Sequence, residues 1–237
     1  FGDETYLKHA KSCCEFFINH LNYTEDEAGD LCFSYTTEDN YHVFNPSMMA
    51  AAVLKKVYFH TNIEKYNSYA LKAARYTAKH QNQDGSWYYR GKPDTIAKMI
   101  DNYHTGFVLE SFQNIKNYSC NNFPFEKELD NGLRFYIDSF FKDNKIPKYR
   151  PNKVFPIDIQ GCGQSIITLV MCNNSEKNYD KLIDNIINFT NDNFYDNDGY
   201  FYYRIYDGNR VDKNAYIRWG DSWMLRALGM LIENESK

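Results

Sequence analysis

Hydrophobic positions along the chain fall into two alternating habits. Between Thr5 and Leu21 they occur at Tyr6, Leu7, Ala10, Cys13, Cys14, Phe17, Ile18 and Leu21, the spacing of a helix with one apolar face. From Met48 to Phe59 the chain is apolar nearly all round, which predicts a buried helix. Asn45-Pro46-Ser47 is a good start for it, because proline suits the first turn and asparagine can cap. Thr61 and Glu64 read as a capping box opening an amphipathic helix that runs to about His80. The alternation continues: an apolar helix from near Asp101 to Phe112, an amphipathic one over 125–141, a small and apolar start over 163–171, and an amphipathic one over 178–189. Tyr216 to Trp223 opens a last helix that ends near Ile232.

Between these helices lie short extended pieces: 31–35, 86–89, 146–150 and 200–204. The tyrosines that close them, Tyr35, Tyr89, Tyr149 and Tyr203, are spaced by 54, 60 and 54 residues. Three are followed by arginine: Arg90, Arg150 and Arg204. A period near 56 that holds two helices is too long for the common 34-residue helical repeat and fits a helical hairpin with a long connection. Helices apolar all round belong inside and amphipathic ones outside. The expectation is one all-α domain over 1–237, an α/α toroid of about four hairpins with inner and outer helix rings. An open superhelix of hairpins is the competing arrangement.

Composition narrows the function. The net charge is −4 with no basic stripe, which argues against nucleic acid. The six cysteines form no Cys-x-x-Cys pair and no zinc-ligand spacing with histidine, so no metal or cofactor is expected. Scattered thiols of this kind suit a reducing, cytoplasmic setting. No apolar run approaches the roughly 20 residues of a membrane span. Aromatic residues make up 17%, enough to line a cleft if position brings them together.

Gln81-Asn-Gln-Asp-Gly85-Ser-Trp87 resembles the Gln…Gly-x-Trp repeat of the terpenoid cyclase and protein prenyltransferase toroids. That resemblance implies the toroid and a helix end tied to the following turn. The Asp-x-Asp-Asp and Asp-Asp-x-x-Asp signatures of those enzymes are absent from this sequence. Four further stretches are similar to bacterial toroid proteins of polysaccharide clusters: 41–47, 100–107, 156–160 and 218–224. They are similar more loosely to uronyl C5-epimerase, polysaccharide lyase and six-hairpin glycosidase domains. This resemblance implies a carbohydrate ligand, and it admits an incomplete six-hairpin barrel, since such relatives often carry six hairpins.

A repeat places equivalent residues at equivalent positions. The helix starts would bring Asn45, Asp101, Asn102, His104, Asp158, Gln160, Gln164, Arg218, Trp219 and Asp221 to one mouth. The extended pieces would add Tyr35, Trp87, Tyr89, Arg90, Tyr149, Arg150, Tyr203 and Arg204. Caps alone account for an Asp or Asn at a helix start, and a Tyr-Arg pair after each turn could simply clamp loop to helix. His104, Gln160, Gln164, Arg218 and Asp221 together ask for more. Helix N-termini aimed at one cavity favour an anionic group, so an anionic sugar is the expected ligand. The candidate acids and bases are Asp101, His104, Asp158 and Asp221; the others would bind substrate. Hydrolysis would use two facing carboxylates, whereas a lyase or epimerase would pair a histidine and a tyrosine with an arginine. A terpenoid- or prenyl-binding toroid, and a non-catalytic domain of a polysaccharide biosynthesis system, are the alternatives.

Overall fold

The computed structural model describes residues 3–91, 98–120 and 122–235. Its helices are α1 (Glu4–Asn19), α2 (Phe44–Thr61), α3 (Glu64–Lys79), α4 (Asn102–Asn117), α5 (Glu126–Phe140), α6 (Ile159–Cys172), α7 (Asp180–Phe194) and α8 (Asp221–Glu235). The strands are short: β1 (Tyr23–Glu25), β2 (Leu31–Phe33), β3 (Phe141–Lys142), β4 (Ile146–Pro147), β5 (Ile157–Asp158), β6 (Arg204–Ile205) and β7 (Val211–Asp212). They pair antiparallel as β1-β2, β3-β4 and β5-β6-β7.

The residues cluster into two compact units. Unit 1 comprises Phe1–Met99 and Phe107–Arg134; unit 2 comprises Ile100–Gly106 and Phe135–Lys237. In unit 1, α2 packs on α1 and α3. In unit 2, α6 packs on α7 and α8, and only Gln160 and Met171 of α6 keep partial access to solvent. The amphipathic pattern holds in α3 and α7: α3 buries Tyr66, Ala70, Ala73, Ala74, Tyr76 and Thr77, all on one stripe.

Several boundaries differ from the pattern-based expectation. Asn45 does not cap α2. The helix begins at Phe44, Val43 occupies the cap position without a side-chain bond, and the Asn45 amide is buried inside the first turn. Thr61 ends α2 rather than starting α3, because Asn62 takes the left-handed conformation that closes the helix, and Ile63 stands at the next cap. The stretch from Tyr216 to Gly220 is a turn, with the amides of Trp219 and Gly220 donating to the Tyr216 carbonyl, so α8 begins only at Asp221.

The repeat is visible in the turns. The amides of Gly29, Gly85 and Gly199 donate to Asp26, Asn82 and Asp196, and all three glycines have positive φ. The third copy uses Asp143 and Asn144, also at positive φ. Each Tyr-Arg extended piece then binds the start of the preceding apolar helix. Arg90 bridges to Val43 before α2, the Asn102 amide of α4 donates to Tyr149, and the Ile159 amide of α6 donates to Tyr203. Each guanidinium also lies over the neighbouring ring: Arg90 at 5.7 Å from Tyr89, Arg150 at 5.5 Å from Tyr149, Arg204 at 4.4 Å from Tyr203. The clamp reading of the pair therefore describes its backbone role.

Close packing makes one small residue in unit 1 sensitive. A Cβ on Gly132 of α5 would fall 2.5 Å from the Trp87 ring and 2.9 Å from Leu109. Gly132→Ala is expected to destabilise the chain by about 1–3 kcal/mol, the cost of overpacking a filled core. Urea denaturation measures it, and an unchanged midpoint would show that the ring moves aside freely.

Candidate functional site

Unit 2 gathers the chemically richest cluster. Asp101 stands immediately before α4 and is almost wholly buried. Its Oδ1 accepts the His104 backbone amide at 3.0 Å, and its Oδ2 meets the His104 Nδ1 at 2.7 Å. One carboxylate thus closes the helix start and orients an imidazole one turn along. With Nδ1 donating to Asp101, the Nε2 carries the ring's lone pair. The His104 side chain is 21% exposed, while that of Asp101 is fully covered. The imidazole is therefore the member of the pair that a solute can reach.

Tyr103, between these two residues in sequence, packs its ring tilted against His104 at 4.5 Å and lies 6.1 Å from the Tyr149 ring. Burial, followed by the charge of Asp101, pushes its hydroxyl far up, with further contributions from Tyr149 and Asp158. Tyr103 therefore keeps its hydroxyl proton. It was not among the candidates drawn from the sequence. Its signal was its place inside Asp101-Asn-Tyr-His104, next to both members of the pair.

Asp158 caps α6 by accepting the Gln160 amide at 2.9 Å, and it holds the Arg204 Nε at 2.6 Å. Strand pairing produces this ion pair, because β5 and β6 set Asp158 directly opposite Arg204. Burial raises the Asp158 carboxyl, against the opposing pull of Arg204. A carboxyl raised in the folded state contributes stability that is present below its unfolded pKa and lost as pH rises through the folded one. Arg204→Gln removes the opposing cation and pushes the carboxyl higher still. The variant is expected to lose about 3 kcal/mol at pH 8, at the low end for a broken buried pair, since Arg204 is a quarter exposed. The loss should shrink at pH 4, since the raised carboxyl takes up its proton more readily as pH falls and then needs the cation less. Equal losses at the two pH values in urea denaturation would contradict this coupling.

The remaining sequence candidates divide sharply. Asn102 is a buried strut in unit 2: its Oδ1 accepts from the Tyr136 hydroxyl at 2.8 Å and from Ser165 at 3.2 Å. Gln164 is likewise fully buried, accepting the Trp223 Nε1 at 3.0 Å and donating to Thr168 at 3.1 Å. Neither amide is presented to a ligand, so their expected binding role gives way to a structural one. Asp221 is committed to the backbone, its Oδ1 accepting the Phe201 amide at 2.9 Å. Gln160 is half-buried beside Asp158, and Arg150 and Arg218 are exposed. Trp219 is 45% exposed and forms an aromatic group with Tyr216 at 5.8 Å and Tyr203 at 6.4 Å.

In unit 1, Trp87 is a core residue rather than a stacking platform. It is 3% exposed, donates its Nε1 to the Thr77 carbonyl at 2.9 Å and packs on Phe112. Asn45 is buried, and its Oδ1 has no hydrogen-bond partner among the described residues. Tyr35, Tyr89 and Arg90 line a cavity of about 380 Å³ with Glu38, Asp39 and Tyr41. The last three were absent from the sequence candidates. The six cysteines are free thiols, four of them buried. No helix among the described residues is long and apolar enough to cross a membrane.

No protein-family model matches the sequence, and no curated protein matches it. Solved structures do. A possible member of the GH105 family from Salmonella enterica subsp. enterica serovar Paratyphi A aligns with a TM-score of 0.76 at 10% identity, over 98% of this chain and 67% of its own. An unsaturated glucuronyl hydrolase specific for heparin aligns at 0.73 and 14%, over 100% of this chain and 71% of its own. A D-mannose isomerase aligns at 0.69 and 15%, over 90% of this chain and 57% of its own. The chain thus spans little more than half of the isomerase's length and about two thirds of the GH105 protein's. At these identities the likeness establishes the fold, which is the all-α toroid that the hairpin repeat predicts.

Proposed function

We propose, from the α/α toroid fold and the Asp101–His104 pair, that the chain is a carbohydrate-active enzyme that moves a proton on an anionic sugar of a polysaccharide. His104 is the proton-transferring residue and Asp101 its positioning residue. Tyr103 serves as a protonated donor beside them. Arg150 and Arg218, both exposed in unit 2, carry the charge that suits a uronate, and Trp219 offers a face for a sugar ring.

The observation that carries this reading is the 2.7 Å contact between Asp101 and a partly accessible imidazole. A buried carboxylate behind an imidazole fixes the tautomer and stabilises the imidazolium that forms when Nε2 accepts a proton. The same geometry disfavours hydrolysis by two facing carboxylates. Asp101 is covered, Asp158 is held by Arg204, and Asp221 by a backbone amide. Proton abstraction beside a uronate carboxylate, as in elimination or epimerisation, uses what remains. The solved structures with this fold include a polysaccharide lyase as well as the hydrolase and the isomerase. The free thiols suit a cytoplasmic setting.

The test is incubation of the full chain with a panel of oligouronides in deuterated buffer. Deuterium should appear at C5 of the uronate, or a 4,5-unsaturated product should appear as new ultraviolet absorbance. Neither signal with any oligouronide would overturn the proposal. One observation favours a second reading, a domain that binds sugar without turnover: Asp101 and Asp158 both serve helix starts. That reading requires saturable oligouronide binding in calorimetry with no exchange at C5.

A further inference from the structure

We infer that unit 1 holds a carbohydrate-binding pocket of its own, selective for an uncharged hexopyranose and built from Tyr35, Glu38, Asp39, Tyr41, Tyr89 and Arg90. This inference is independent of the proton-transfer reading, which rests on unit 2. The cavity of about 380 Å³ lies within the ~300–1,000 Å³ range of small-ligand sites. Two of its walls are tyrosines at 58% and 48% exposure, Tyr35 and Tyr41. Rings held this open on an ordered loop offer apolar faces to the C–H side of a sugar at little cost in side-chain freedom.

The loop that carries them is organised by one carboxylate. Asp39 Oδ1 accepts the amides of Tyr35 at 3.2 Å and Tyr41 at 3.0 Å, and Oδ2 accepts the Thr36 amide at 2.7 Å and hydroxyl at 2.6 Å. A carboxylate offers about four acceptor sites, so Asp39 is fully engaged and positions both tyrosines. Partial burial works against its ionised form, but the Thr36 hydroxyl and the three amides outweigh it and hold the carboxyl below its usual range. The Arg90 guanidinium lies 4.3 Å from the Tyr41 ring and 5.7 Å from that of Tyr89, an orientation fixed by two faces.

Charge decides the class of ligand. The pocket sets two carboxylates, Glu38 and Asp39, against one guanidinium. A uronate entering it meets a net negative surround. A neutral pyranose meets what its hydroxyls need: Glu38 to accept and Arg90 to donate, because a hydroxyl does both. Selectivity here is therefore opposite to that proposed for unit 2.

The experiment is calorimetric and NMR titration of the full chain with mannotriose, maltotriose and trigalacturonate. At least one neutral trisaccharide should bind saturably, and trigalacturonate should not compete for this pocket. Tyr41→Ala should weaken the neutral sugar by about tenfold or more, the loss of one stacking wall at about 1.4 kcal/mol per factor of ten. Glu38→Gln, at an exposed loop position that leaves the fold intact, should weaken it as well. His104→Ala should leave this binding unchanged while removing exchange at C5, which separates the two proposals. The inference is overturned if no neutral trisaccharide binds, if binding survives both variants, or if trigalacturonate binds as tightly with the same dependence on Tyr41.

Discussion

His104→Ala is expected to lower kcat/KM on the responsive oligouronide by about 10²- to 10⁴-fold, the usual contribution of a positioned acid–base group. The folded state should lose about 1–3 kcal/mol, because the covered Asp101 Oδ2 loses its imidazole partner while Oδ1 keeps its backbone amide. Asp101→Asn makes the complementary case. An amide in place of the carboxylate can turn its NH2 or its oxygen toward Nδ1 but no longer stabilises an imidazolium. Turnover should fall by a comparable factor while KM stays close to the wild-type value, since Asp101 touches no substrate. A fall in KM-controlled binding with kcat preserved would make the pair a binding feature and not an acid–base one. The test needs both variants, because Asp101 also closes α4 and a loss of stability in Asp101→Asn alone would be ambiguous.

Trp87→Ala carries the largest expected effect on stability, about 3–5 kcal/mol, the range for deleting a buried large aromatic side chain. The indole is 3% exposed, bonds the Thr77 carbonyl and sits against Phe112 and the Cα of Gly132. Removing it empties a space that close-packed neighbours fill only in part, and leaves the Thr77 carbonyl without its indole donor. Trp87→Phe retains most of the volume and should recover more than half of the loss. Urea denaturation of the two variants measures this. If Trp87→Ala were as stable as wild type yet bound sugars more weakly, the residue would belong to a ligand surface after all.

Trp87 also shows where sequence reading stops. Its place in Gly85-Ser-Trp87 announced a repeat, and the turn geometry at Gly85 agrees. Nothing in one sequence says which side of the turn the indole takes. Burial is set by what stands opposite, here Gly132, which lies 45 positions away in the chain. Asn102 and Gln164 went the same way. Polar residues at helix starts look alike whether they face a ligand or a neighbouring helix, and these two bond inward to Tyr136, Ser165, Trp223 and Thr168. Helices were legible because their apolar spacing is local. The pairing of the two-residue strands was not, since β5 and β6 are held by each other across 46 positions, and it is that pairing which joins Asp158 to Arg204. The link between Asp101 and His104 was legible because a helical turn separates them.

The clamp made by each Tyr-Arg piece has a temporal consequence. The start of α4 donates an amide to the Tyr149 carbonyl, and the start of α6 one to that of Tyr203, each acceptor more than forty residues further along the chain. A ribosome delivers these partners late. Each of these two helices therefore leaves the exit tunnel with its leading end held only by its own carboxylate, Asp101 or Asp158, and the following hairpin adds the second bond. Synthesis would proceed as a series of provisional structures, every one ratified by its successor, so that a pause placed just before Tyr149 or Tyr203 exposes a different helix end to chaperones than a pause placed just after.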